Sequence, residues 1–236
     1  MPKTKLEIVS DLFTYYKGAP NQLRAVKRLG EILSDQEVAE LLILYRGVPM
    51  DGESNGIELS IKSLLNGGTN SFVAKVVGYS EGTRTIDGNF TDAYDGHLDP
   101  GNGRKNLGSF SFQGAALSPA DADVRQINKL TNIFLPAFLS AAKTKVWTKN
   151  ILLMFLIGCD LYVQSEMAAM SPPCYLETAE DTSDLTVQAK ARIAGYYNSN
   201  GQLDAPGFNN DINIVIEDQT RRVNAVAAAA KQYRLV

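Results

Sequence analysis

The sequence predicts a mainly α-helical protein built as a two-lobed helical core, with a small β hairpin in a Gly-rich insertion and a C-terminal arm. Three observations predict it. Apolar residues recur at three- and four-residue spacing over most of the chain. Glycine, Asn and Asp gather between Gly78 and Gly114, where eight glycines interrupt any regular helix. An Ala-rich helix follows a Gly-, Asn- and Asp-rich stretch near the C-terminus. The expected boundaries are 1–79 for an N-terminal helical lobe, 80–118 for the insertion, 119–198 for a C-terminal helical lobe, and 199–236 for a linker and arm.

Residues 4–17 carry Leu6, Val9, Leu12, Phe13 and Tyr16 on one helical face, and Lys17-Gly18-Ala19-Pro20 ends that helix. Asn21 to Leu33 places Leu23, Val26 and Leu33 on an apolar face and Arg24, Lys27 and Arg28 on another. Ser34-Asp35-Gln36-Glu37 caps a third helix that runs through Val38, Leu41, Leu42 and Tyr45 to Gly47. Ile57 to Leu65 reads as a helix broken by Asn66-Gly67-Gly68, and the β-branched run Ser71 to Val77 reads as a candidate strand. Phe110-Ser111-Phe112 offers a short strand, paired across the turn Asp99-Pro100-Gly101-Asn102.

Ser118-Pro119-Ala120-Asp121 is a helix start, with a capping Ser, Pro in the first position and an acid in the first turn. Val124, Ile127, Leu130, Ile133 and Phe134 form its stripe, and Pro136 bends or restarts it. Trp147 to Met170 reads as the longest helix and, apolar nearly all round, as the central core. Ser171-Pro172-Pro173 ends it, Leu185 to Tyr197 follows, and 199–211 has linker composition. Ile212 to Ile216 is β-branched, and Asp218 to Tyr233 is the terminal helix.

The chain has 236 residues, one histidine (His97) and two cysteines (Cys159 and Cys174), too few for most catalytic or metal centres built on those groups. No Gly-Lys dipeptide exists, which excludes the Walker loop, and Asn106 stands where Gly101-Asn102-Gly103 would need a third glycine for a dinucleotide fingerprint. The acids of Asp92, Asp95 and Asp99 fall at intervals of three and four, not the alternate positions of a calcium loop. The expectation is therefore a non-enzyme with no catalytic residue, cofactor or metal. The apolar run Ile151–Ile157 is too short to cross a bilayer, and the acids of the first dozen residues break the apolar core of a signal peptide. The protein is expected to stay where it is made, with free thiols in a reducing compartment.

Net charge is −3, unevenly spread. Residues 146–216 hold 3 bases against 8 acids, whereas 217–236 hold 4 against 2. Four basic groups stand out: Arg24, Lys27 and Arg28; Arg104 and Lys105; Lys143, Lys145 and Lys149 beside Trp147; and Arg221 with Arg222. On one surface they would track a phosphate backbone, with Trp147 available for base stacking. The ordinary reading of such charges is solvated helix surface, and of such aromatics, core.

The chain resembles the nucleoproteins of segmented negative-strand RNA viruses and the coat proteins of flexible filamentous plant viruses. The resemblance is carried by Arg125 to Phe138, a helix with Ile127, Leu130 and Phe134 running into Leu135-Pro136, and by the Ala-rich Asn224 to Tyr233. It covers about a tenth of the chain. The acidic pI and the long Gly-rich insertion depart from the more basic negative-strand nucleoproteins, whereas coat proteins tolerate an acidic balance. It implies a virion and host-cytoplasm protein that assembles as a filament or ring on single-stranded RNA. Neighbours would then be met through Leu6, Val9 and Phe13 and through Val223, Val226, Ala230 and Tyr233 of an exchanged arm. An RNA-free matrix-type scaffold and an enzyme without a readable motif are the alternatives.

Overall fold

The computed structural model describes residues 54–99 and 103–236. The expected helices within residues 4–45, and with them Leu6, Val9, Phe13, Arg24, Lys27 and Arg28, lie outside the described residues. The chain divides after Ser63. Before that point the described residues belong to helix α1 (Ser54–Leu65), whose Glu58 and Lys62 form an i,i+4 ion pair.

From Leu64 to Val236 one compact unit is mainly helical, with a single two-stranded sheet among the described residues. The elements are α2 (Phe72–Glu81), β1 (His97–Leu98), β2 (Lys105–Asn106), α3 (Pro119–Lys129), α4 (Leu135–Lys145), α5 (Ile151–Gln164), α6 (Glu166–Met170), α7 (Tyr175–Thr178), α8 (Leu185–Ala194) and α9 (Ile212–Gln232). Short 3₁₀ turns occupy Gly68–Asn70, Asp92–Asp95 and Pro206–Phe208.

The candidate strand at Ser71–Val77 is helix α2. Ser71 is extended and its side chain accepts the Ala74 N–H, while Gly82 closes the other end at φ 76. Buried Val73, Val76 and Val77 lie on the helix that packs with α5 and α9, so tertiary contact overrides their β preference. The strand that pairs with His97–Leu98 is Lys105–Asn106, with His97 opposite Asn106. Phe110–Phe112 is a turn instead, with Ser111 at φ 50 and an isolated bridge from Leu107 to Phe112.

Helix α3 starts as expected: the Ser118 hydroxyl accepts the Asp121 N–H and Pro119 opens the first turn. It runs through a π turn, Leu130–Phe134, where the Leu135 N–H bonds the Leu130 carbonyl, and continues as α4 past Pro136. The wider turn lets the helix pass a residue with no N–H to donate. The expected Trp147–Met170 helix is shorter. Its core part, α5, is buried from Ile151 to Tyr162, and it ends at Ser165, which is extended and caps α6 through the Ala168 N–H. Gly158 admits Phe134: a Cβ there would lie 2.6 Å from the ring.

The longest described helix is α9, which absorbs Ile212–Ile216 because Asp211 caps it at the Asn213 N–H. It packs on α2, α5 and α8. Residues 199–211 are a bonded turn, closed by Asn198 N–H to the Gln202 carbonyl and Asp204 N–H to the Tyr196 carbonyl, with Ala205 buried. The arm expectation is corrected on this point: Val223, Val226 and Ala230 have no exposed surface and belong to the chain's own core. The boundary expected after residue 79 likewise falls inside α2, and the segments 80–118, 119–198 and 199–236 share one unit.

Candidate nucleic-acid interface

Charge in this fold is divided between a buried network and exposed lysines. The network centres on Asp160, the one acid inside the apolar run of α5. Arg192 of α8 places Nη1 2.8 Å from Asp160 Oδ2, and Arg222 of α9 places its Nη1 3.2 Å from Oδ1. Arg222 also pairs with Glu81 at 2.6 Å and Asp218 at 3.2 Å. Arg192 donates to the Ile157 carbonyl and to Gln219 Oε1, and the Gln219 amide donates to Gln164 Oε1. Burial pushes Arg222 toward losing its proton, but the carboxylates of Glu81, Asp160 and Asp218 outweigh it and hold the guanidinium more firmly charged than usual. Four helices are thus tied by largely buried charges.

A third buried arginine, Arg84, lies after α2. It donates to Ser109 Oγ, the Gly88 carbonyl and the Thr69 carbonyl, and lies 3.7 Å from Asp123. Burial raises the Asp123 carboxyl above its ordinary range, against hydrogen bonds from Thr69 and Ser109 and the charge of Arg84.

The predicted RNA-facing residues separate accordingly. Arg222 is corrected: 8% exposed and with its Nε and Nη1 committed to three carboxylates, it is a strut within the fold and not a surface cation. Trp147 is corrected too, since it is 4% exposed and packs on Phe138 with ring centroids 5.5 Å apart, leaving no face for a base. Arg221 bonds the Ser80 carbonyl and Asp218. Lys145 bends back onto the carbonyls of Glu177 and Ala179. Arg104 reaches the Gln113 carbonyl. Tyr233, expected at a subunit contact and not on RNA, packs edge-on against Phe72 of α2.

Lys105, Lys143 and Lys149 remain exposed, and none forms an ion pair among the described residues. Lys143 and Lys145 lie in the last turn of α4 and Lys149 just beyond it, while Arg104 and Lys105 stand at β2. No hydrogen bond or ion pair among the described residues joins the two groups. Lys143 and Lys145 also offset the negative end of the α4 dipole. Asp181 lies close by, but its carboxylate is spent on the backbone N–H groups of Thr148, Lys149 and Asn150.

His97 is held between the Ala93 carbonyl at Nδ1 and the Asn106 side chain at Nε2, and so braces the hairpin. Both cysteines are buried, which pushes each thiol up, Cys159 strongly so beside Asp160. No group of three His, Cys, Asp or Glu able to hold a metal occurs among the described residues, and none of their helices is long and apolar enough to cross a membrane.

Sequence reasoning missed Asp160, Arg192 and Arg84. The signal for Asp160 was available: one carboxylate inside an all-apolar helix requires a buried cation. Nothing local marked Arg84, whose partners Thr69, Ser109 and Asp123 lie 15 to 39 residues away. Comparisons with protein-family models, curated proteins and solved structures find no match.

Proposed function

We propose that the protein is a nucleocapsid or coat subunit that self-assembles on single-stranded RNA and encapsidates it without reading its sequence. The observation that supports this reading most is the division of charge. Arg84, Arg192 and Arg222 are consumed inside the fold, while Lys105, Lys143 and Lys149 stay exposed with no acid partner among the described residues. Lysines of this kind bind phosphate as point charges and discriminate no base. Arg24, Lys27 and Arg28 of the first lobe add phosphate contacts, with Arg104 and Lys145 beside the exposed lysines.

The apolar face of α9 is spent within its own chain, so the contact between subunits passes to Leu6, Val9 and Phe13. A virion and host-cytoplasm location follows from the same reading. The test is the ultraviolet absorbance ratio of protein purified at low salt, together with its polymer state at low and high salt. Copurifying nucleic acid in filaments or rings supports the reading. Polymers free of nucleic acid replace it with a matrix-type scaffold.

A further inference from the structure

Phe90 is 52% exposed, yet it is firmly held for a ring at the surface. It stacks on Tyr94 with centroids 3.9 Å apart and planes at 25°, and the Arg84 guanidinium lies 4.4 Å from its centroid. Arg84 is only 5.5 Å from the Tyr94 centroid, far less than opposite faces of Phe90 would require. The guanidinium therefore lies toward the ring's edge and not opposite Tyr94, and the face away from Tyr94 is covered by neither.

The ring has little freedom to turn away. The turn before it is closed by Gly88 N–H to the Thr85 carbonyl, Thr85 N–H to the Asn89 carbonyl, and Arg84 to the Gly88 carbonyl. Thr91 after it is fastened by its N–H to the Thr83 carbonyl and by its hydroxyl to the Gly82 carbonyl. Arg84 beneath is locked by Ser109, Thr69 and Asp123.

We infer that Phe90 is a stacking platform for one nucleobase of the bound single strand, an inference that rests on the RNA-binding reading above. A cation lies near either end of this stretch: the Lys75 stem meets Gly88, and the Lys105 stem meets Gly96. Asp87, Asp92 and Asp95 lie on the same stretch, so it is no phosphate groove. The ring accordingly contributes through its π face, which every base matches and which salt does not screen.

The test uses the full-length chain with labelled oligouridylate and oligoadenylate at several salt concentrations. Phe90→Ala lowers affinity about fivefold to a hundredfold at every salt concentration and leaves the salt slope unchanged. Phe90→Trp retains affinity, and its exposed indole is quenched as RNA is added, against a constant background from buried Trp147. Three results overturn the inference while the RNA-binding reading stands: unchanged binding by Phe90→Ala, indole fluorescence of Phe90→Trp that RNA does not quench, or a loss confined to subunit assembly. A wild-type chain that binds neither oligonucleotide overturns both.

Discussion

Asp160 on α5 and Arg192 on α8 form an ion pair at 2.8 Å with both side chains fully excluded from water. Removing Arg192 leaves the buried Asp160 carboxylate with only the longer 3.2 Å contact to Arg222, which costs more than the pair contributes. Arg192→Met should destabilise the protein by about 3–5 kcal/mol. The pair Asp160→Leu with Arg192→Met should recover part of that loss, because Arg222 keeps Glu81 and Asp218. Urea unfolding midpoints of the two variants check this.

Acid should weaken the fold through Asp181 and Asp218. Desolvation pushes the Asp181 carboxyl up, but the N–H groups of Lys149, Thr148 and Asn150 outweigh it and hold it below its ordinary range. For Asp218 the desolvation is outweighed by the charge of Arg222 and by bonds from Gln164 and Arg221. Groups depressed in the folded state stabilise it above the ordinary carboxylate range, about pH 4, and that contribution is lost as pH falls through their folded values. Asp123, raised by burial, works in the opposite sense: ionising it costs stability as pH rises through its folded value. Melting temperatures measured from pH 7 downward should fall below about pH 4, and Asp181→Ala should flatten that decline while costing about 1 kcal/mol at neutral pH.

Deleting 212–236 should leave no cooperatively folded unit. The truncation removes Val215, Val223, Val226 and Ala230 from the core and leaves Glu81 and Asp160 short of Arg222. Loss of the thermal transition in far-ultraviolet circular dichroism is the expected result. A truncated monomer with near-native helix content would restore the exchange-arm arrangement.

The thiols of Cys159 and Cys174 should resist labelling by an aromatic disulfide reagent in the native protein and react fully in denaturant, since both are buried and held protonated. Cys159→Ser should cost only a modest amount of stability and leave RNA binding intact. Fast native labelling would show an opening that this fold does not contain.

Most of the helical framework was legible because its signals are local. Ser118-Pro119 starts α3 through a cap and a proline that need no distant partner, and the apolar run of α5 announces its own burial. Elements set by tertiary contact were not. The valines of α2 have a strand preference that α5 and α9 override, and Phe110–Phe112 alternates like a strand but turns at Ser111. Among the candidate site residues, Arg222 and Arg221 are adjacent in sequence and alike in charge. Only the carboxylates that α2 and α5 bring to α9 separate a buried strut from a surface arginine.

In the proposed function, exposed lysines supply the salt-dependent hold on a single strand of RNA. Each phosphate contact on single-stranded nucleic acid contributes about −0.7 to the slope of log affinity against log salt. The triple variant Lys105→Glu, Lys143→Glu, Lys149→Glu, compared with wild type over a salt titration with oligouridylate, should show a slope flatter by about 2 and weaker binding of every sequence alike. An unchanged slope and affinity in a triple variant that remains folded would contradict the account.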